Sequence, residues 1–172
     1  MSLSGSFPSA RRHRSALYLF VWFVPVLIAA ALGAMASVNA AGFYASLSLP
    51  GWAPPAAVFG PAWTLLYLMM AIAAWRISIL PAEPARTRAL VLFSVQLIVN
   101  ALWSWFFFAW KLGAWAFVDV LLLLALVAAC TIWFWRLDRP AAVLFLPYLL
   151  WVGFASALSG AVWLRNPALL GG

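Results

Sequence analysis

In one apolar stretch, Gln96, Asn100, Trp103 and Phe107 fall at i, i+4, i+7 and i+11, placing two amides and two rings on one helix face. Trp63 and Tyr67 form an i, i+4 pair in a second stretch. Tyr148 and Trp151 form an i, i+3 pair in a third, next to Pro147. An indole has a broad π-face and one N–H donor, so these residues suit stacking on a flat, mostly apolar ligand while touching its polar rim. The chain carries 12 Trp in 172 residues, more than anchoring at two headgroup belts requires. Each pair alone fits core or belt packing; their joint occurrence with the Asn100 face points to a pocket. Gln96 reads as hydrogen-bonding glue between helices, and Asn100 as either glue or a ligand contact.

Other chemistries find little support. The sole histidine, His13, precedes the first apolar stretch, so histidine-ligated haem inside the bundle is excluded. Cys130 is the only cysteine, which leaves no internal disulfide and no thiolate cluster for a metal. There is no glycine-rich phosphate loop, and no Ser–His–Asp set can form without a buried histidine. Asp119 is the only acid within an apolar stretch, which marks it as a functional candidate. It lies near the start of that stretch and has no second buried acid or histidine for a proton relay, so a pairing role fits equally well.

The elements that must position these residues are membrane helices. The chain is 68% hydrophobic and 8% charged, with mean hydropathy +1.07, more apolar surface than a soluble domain hides. Five continuous apolar segments, at 16–38, 58–80, 89–109, 114–135 and 141–164, are each long enough to cross a bilayer as a helix. They lack the two-residue alternation of a β-barrel. The expected fold is an all-α bundle of five transmembrane helices (residues 16–165), between a polar, basic, disordered or interfacial arm (1–15) and a short tail (166–172). The first apolar run exceeds a signal-peptide core, so it is expected to be retained.

The connections are unequal. Those at 81–87, 111–113 and 136–140 are short and make consecutive helices antiparallel neighbours. Residues 39–57 form a long, uncharged link carrying Pro50, Gly51, Pro54 and Pro55 around Trp52. Long connections in compact domains are commonly functional, and this one is stiff and apolar. It is expected to fold back as a lid over the helix ends, the alternative being a loop resting in the headgroups.

The net charge of +7 is a topology signal and gives no indication of nucleic-acid binding. Of 10 basic residues, only Lys111 and Arg165 fall on one side of the five spans, and the other eight fall opposite. The positive-inside rule then puts the N-terminus in the cytoplasm, which suits a bacterial inner membrane. For a chain delivered to the outer membrane the count does not discriminate.

Three ordered motifs carry a resemblance. Trp52, Pro54, Pro55, Val58, Phe59, Trp63, Thr64, Leu66 and Tyr67 match the pattern WxPPxxVFxxxWTxLY. Gln96, Asn100, Trp103, Ser104, Phe107 and Phe108 match QxxxNxxWSxxFF. Pro147, Tyr148, Leu149, Trp151, Phe154 and Ala155 match PYLxWxxFA. From about Phe20 to Pro167 the chain resembles the tryptophan-rich sensory protein/translocator protein family (TspO/MBR, the peripheral-type benzodiazepine receptors).

The resemblance implies a five-helix homodimer with a pocket under the first loop that takes porphyrins such as protoporphyrin IX, isoquinoline carboxamides and, in some members, sterols. It implies a membrane receptor, sensor or carrier for tetrapyrroles that requires no cofactor. The implied ligand-binding set is Tyr44, Trp52, Pro55, Trp63, Tyr67, Asn100, Trp103, Tyr148 and Trp151. One alternative is light-dependent porphyrin breakdown, for which Trp63 and Trp151 would be the catalytic pair. Another is a regulatory membrane protein taking a sterol or other lipophile, associating through the small-residue stripe Gly153, Ala157 and Ala161. The chain departs from the family pattern at Phe43–Tyr44, usually Trp-Tyr, at Leu49–Pro50, usually Lys-Pro, and at Leu158–Ser159, usually Leu-Asn. Loss of that lysine removes a cation that could meet a porphyrin propionate.

Overall fold

The computed structural model describes residues 8–171, with side chains from residue 17. All regular structure among them is helical: α1 (Pro8–Ala36), α2 (Ala40–Ser46), α3 (Phe59–Ser78), α4 (Pro84–Ser104), α5 (Gly113–Leu137), α6 (Arg139–Arg165) and α7 (Pro167–Leu170). A 3₁₀ turn, Ala56–Val58, leads into α3, and a π turn, Trp105–Ala109, extends α4. Five helices, in α1, α3, α4, α5 and α6, are long and apolar enough to span a membrane, at Leu17–Ala36, Ala56–Ser78, Pro84–Ala109, Gly113–Leu137 and Arg139–Arg165. These match the five expected segments to within a few residues. In the expected N-terminal arm, residues 8–15 continue α1 as helix, and 1–7 lie outside the described residues.

Proline punctuates the helix starts. Pro84, Pro140 and Pro167 occupy the first turns of α4, α6 and α7, where a missing N–H costs nothing. Pro25 and Pro147 lie inside α1 and α6, each of which remains one helix.

Contacts between helices define a ring in the order α1, α3, α6, α5, α4 and back to α1. The α5–α6 and α4–α5 seams are the most extensive, as their short connections require. The expectation of neighbouring consecutive helices holds less well for α3 and α4. Their contact is thin, because α1 lies against both and completes the ring between them.

Lipid is as apolar as leucine, so close packing, small residues and polar pairs must hold such helices together. Ala71, Ala73, Ala74, Ala89, Ala141 and Ala142 are fully buried and let backbones approach. Phe93 joins four helices: its ring meets Trp22 edge-on at 5.5 Å, Phe145 at 5.9 Å and Phe134 at 6.3 Å. The stripe Gly153, Ala157 and Ala161 takes no such part, since a Cβ on Gly153 would meet no atom within 4 Å.

The end of the bundle that carries Arg76 and Arg86 is tied by charge. Arg76 Nε donates to Asp138 Oδ2 at 2.6 Å and its Nη2 to Asp138 Oδ1 at 3.2 Å, fastening the end of α3 to the α5–α6 junction. Arg86 Nη1 donates to the carbonyls of Ser78 and Leu80, filling acceptors left open where α3 ends.

Phe93→Ala should lower resistance to denaturing detergent by roughly 2 kcal/mol. That is less than the ~3–5 kcal/mol of a soluble core, because lipid supplies no hydrophobic transfer term to lose. Equilibrium unfolding in mixed micelles measures it, and a loss below about 0.5 kcal/mol would remove Phe93 from its role as the four-helix node.

Candidate functional site

At the end opposite Arg76 and Arg86, residues 39–57 fold back over the bundle as the sequence leads one to expect. α2 lays Phe43 and Tyr44 against the ends of α3 and α4. The Phe43 ring meets Phe107 at 6.1 Å and Phe108 at 6.4 Å, and Tyr44 meets Phe59 at 5.4 Å. Leu47 is buried in the same apolar cluster as Leu158, Val162 and Leu170.

Two locks hold this lid. Within it, the Tyr44 hydroxyl donates to the Pro54 carbonyl at 3.0 Å. Burial pushes that phenol's pKa up, so the donor persists wherever an ordinary tyrosine is protonated. The second lock joins lid to bundle. Ser48 N–H donates to Asn166 Oδ1 at 2.7 Å, and Asn166 Nδ2 donates to the Ser48 carbonyl at 3.1 Å. Arg165 adds a bond to the Leu49 carbonyl at 3.3 Å.

The tail over residues 166–171 is part of this arrangement. Leu170 is fully buried, and a Cβ on Gly113 would come within 2.4 Å of Trp163 and 2.9 Å of Leu170. Only glycine at the start of α5 lets the tail dock so closely.

Beneath the lid lies a cavity of about 570 Å³, within the range of small-molecule sites. α1 contributes Ala30, Gly33 and Ala34, and the turn after it Ser37; their i, i+3, i+4, i+7 spacing makes one strip of small residues. α3 contributes Trp63 and Tyr67, with Phe59 at its start, and α4 with its π turn contributes Trp103, Phe107 and Phe108. Trp103 and Phe107 are stacked at 5.2 Å and 14°. α6 closes the rest with Ala155, Leu158 and Ser159. No lining residue is charged. The close approach of α1 needs Gly33, where a Cβ would meet Ser104 Oγ at 3.3 Å and Tyr67 Oη at 3.7 Å.

The π turn shapes this wall. An extra residue per turn rotates the following side chains relative to an α-helix. The turn closes through Trp110 N–H to the Trp105 carbonyl at 2.8 Å. It is followed by Lys111 at φ 55°, an unusual conformation for a residue with a side chain. Lys111 Nζ sits 5.1 Å from the centre of the Phe43 ring, tethering the lid from its outer side.

Of the residues singled out from the sequence, Tyr44, Trp63, Tyr67 and Trp103 line the cavity. Asn100 and Tyr148 stand behind the wall. The Tyr67 hydroxyl donates to Asn100 Oδ1 at 2.7 Å, Asn100 Nδ2 donates to the Tyr148 oxygen at 2.9 Å, and the Tyr148 hydroxyl donates to Gln96 Oε1 at 2.9 Å. Gln96 Nε2 reaches Met70 Sδ at 3.9 Å. The two amides therefore act as glue between α3, α4 and α6, and Asn100 reaches the cavity only by orienting Tyr67.

Trp151, Trp52 and Pro55 are off the wall. Trp151 packs behind Phe59 at 5.9 Å, Trp52 lies against Phe154 with half its surface exposed, and Pro55 is an exposed start to the 3₁₀ turn. Gly33, the small residues of α1 and the Asn166 lock escaped sequence reasoning. The small-residue spacing in α1 is visible once sought, and Asn-Pro after Arg165 signals a helix stop. Nothing in the sequence links Asn166 to a loop 118 residues earlier.

The TspO/MBR family profile matches residues 21–164. The chain belongs to the TspO/MBR family. It is 41% identical over 149 residues to Protein CrtK of Rhodobacter capsulatus, covering 86% of this chain and 91% of that one. It is 39% identical over 143 residues to the Tryptophan-rich sensory protein of Cereibacter sphaeroides, covering 80% and 88%. It is 34% identical over 132 residues to the human Translocator protein, covering 76% and 78%. This TspO/MBR chain is an integral membrane protein, and its cavity lies within the matched region.

Tyr148→Phe should cost about 1–2 kcal/mol, because Gln96 and Asn100 each lose a partner where no water replaces it. Unfolding in mixed micelles tests this, and an unchanged midpoint would mean the amides pair elsewhere.

Proposed function

We propose that the protein is a membrane receptor, sensor or carrier for a flat lipophilic ligand of the tetrapyrrole class, held in the cavity under the lid. The observation that carries this reading is the composition of the wall. The rings of Trp63, Tyr67, Trp103 and Phe107 share one cavity with a strip of side chains no larger than serine, and nothing charged interrupts them. Rings give large π-faces for stacking, and the small strip leaves room beside them for a planar body. The printed names of the relatives, a sensory protein and a translocator protein, agree with sensing or carrying. The charge distribution supports an inner-membrane orientation with the N-terminus in the cytoplasm. A homodimer is part of the same proposal.

The ligand's ionised groups have no oppositely charged partner on this wall. A carboxylate taken inside would exchange its hydration for no more than the unpaired Trp103 Nε1–H and Ser159 hydroxyl, with no cation to meet its charge. The ring system therefore belongs inside, with any propionates neutral or at the mouth. It follows that protoporphyrin IX dimethyl ester should bind at least as tightly as the free acid.

Titration of detergent-solubilised protein with protoporphyrin IX in darkness, followed by quenching of tryptophan fluorescence, tests the reading. Saturable binding of one per protomer is expected. Trp63→Phe should weaken it by about three- to tenfold, as loss of the larger stacking surface implies. Trp151→Phe should change affinity less than about twofold, since that indole is off the wall. Gly33→Leu should abolish binding while the protein remains helical by circular dichroism. Absence of saturable binding up to about 100 μM, roughly 5.5 kcal/mol, would overturn the proposal. A new absorbance product that requires light, protein and Trp63 would move the reading to an enzyme.

A further inference from the structure

The cavity is closed on some sides and open on one, and the latched part of the lid is not on the open side. Tyr44, Leu47 and Pro50 of the lid are buried. Lifting the lid from the bundle breaks the paired Ser48–Asn166 bonds and the Arg165–Leu49 bond, and exposes Phe43 and Leu47. Among the lining residues of α6 and the π turn, Phe107, Leu158, Ser159 and Val162 are buried as well, and Phe108 and Ala155 are half-buried. The exposed lining residues are Ala34 in α1, Val38 in the turn after it, Ala41 at the start of α2, and Ala56, Gly60 and Thr64 at the start of the next span. All but Ala41, at the near edge of the lid, lie at the end of α1 or just after it, or at the start of the span containing α3, and so border the seam between α1 and α3. Ala34, Gly60 and Thr64 belong to the helices apolar enough to cross a membrane.

The chemistry of the seam suits acyl chains. Its two hydroxyls are turned back on their own helices: Ser37 Oγ donates to the Gly33 carbonyl at 2.8 Å, and Thr64 Oγ1 to the Gly60 carbonyl at 2.9 Å. That back-bonding satisfies the hydroxyls internally, so they need no water. No charged residue lines the opening, and the side chains along it are small or aliphatic. Water gains nothing there, whereas a molecule dissolved in the hydrocarbon meets a gap edged by residues it can slide past.

We infer that the cavity is loaded sideways from the bilayer, through the seam between α1 and α3, by a ligand already dissolved in the lipid, while the lid stays latched. This rests on the proposed function, since it takes the cavity to be a binding site. It restricts the ligand to molecules that partition into the membrane and cross the seam without charge.

Gly60 provides the test, because a Cβ there would meet no atom within 4 Å and a larger side chain extends into the open seam without a clash. Protein in phosphatidylcholine vesicles is mixed with protoporphyrin IX in a stopped-flow instrument, and release is followed by a chase with excess empty vesicles. Gly60→Leu should slow both uptake and release by about tenfold, with little change in their ratio, the mark of an obstructed route. Asn166→Ala, which unlatches the lid and leaves the cavity wall intact, should leave both rates within about twofold of the unmodified protein. Exchange at the unmodified rate in Gly60→Leu, or exchange accelerated several-fold in Asn166→Ala, would overturn the lateral route and leave the binding site standing. Should Gly60→Leu fail to insert, Ala34→Leu obstructs the same seam from α1. If the unmodified protein shows no saturable quenching, the proposed function falls and the route with it.

Discussion

A polar group placed between these helices is stabilised only by a partner inside the protein, because the surrounding hydrocarbon offers none. The chain from Tyr67 through Asn100 and Tyr148 to Gln96 meets that requirement across the middle of the ring, where the contact between α3 and α4 is otherwise thin. It fixes α3, α4 and α6 at one separation. With those three held, the aromatic faces of Trp63, Tyr67 and Trp103 have a defined setting, and the space left under the lid becomes a cavity of constant shape. The polar chain and the apolar cavity are thus two sides of one wall. One stabilises the bundle and the other is free to bind.

The lid follows the same logic at the helix ends. Its backbone leaves the spans where regular hydrogen bonding stops, so its N–H and C=O groups need other partners. Asn166 supplies both kinds at once, as an amide can, and does so from the residue immediately after α6. The apolar side chains of α2 and the tail cover what remains. The opposite end uses charge, through Arg76 with Asp138 and Arg86 with open carbonyls. Residues that the sequence offers as topology signals are therefore also structural ties.

Much of this was legible in the sequence. Continuous apolar runs separated by short breaks define five spans, because bilayer thickness fixes helix length. The 3.6-residue period put Gln96, Asn100, Trp103 and Phe107 on one face, and the structure places all of them inward. Period alone does not say which inward residue meets a neighbouring helix and which meets empty space. Asn100 and Trp103 are separated by less than one helical turn, yet one is consumed by two hydrogen bonds and the other lines the cavity. Trp151 has the right residue type and neighbourhood but lies one ring behind the wall. The order of helices around the ring was not legible either, since α1 settles between α3 and α4 through contacts distant in the chain.

The strip of alanine, glycine and serine along α1 and the turn after it has a mechanical consequence. A wall of leucine or methionine can accommodate a bulkier guest by changing rotamer, because such side chains have several χ angles to adjust. Alanine and glycine have none. The gap beside α1 is set by the position of its backbone, and a thicker guest can be admitted only by displacing the helix as a rigid body. Under the proposed function, shape selection in this cavity would be a matter of helix spacing, a gauge for thickness that sorts planar molecules from puckered ones.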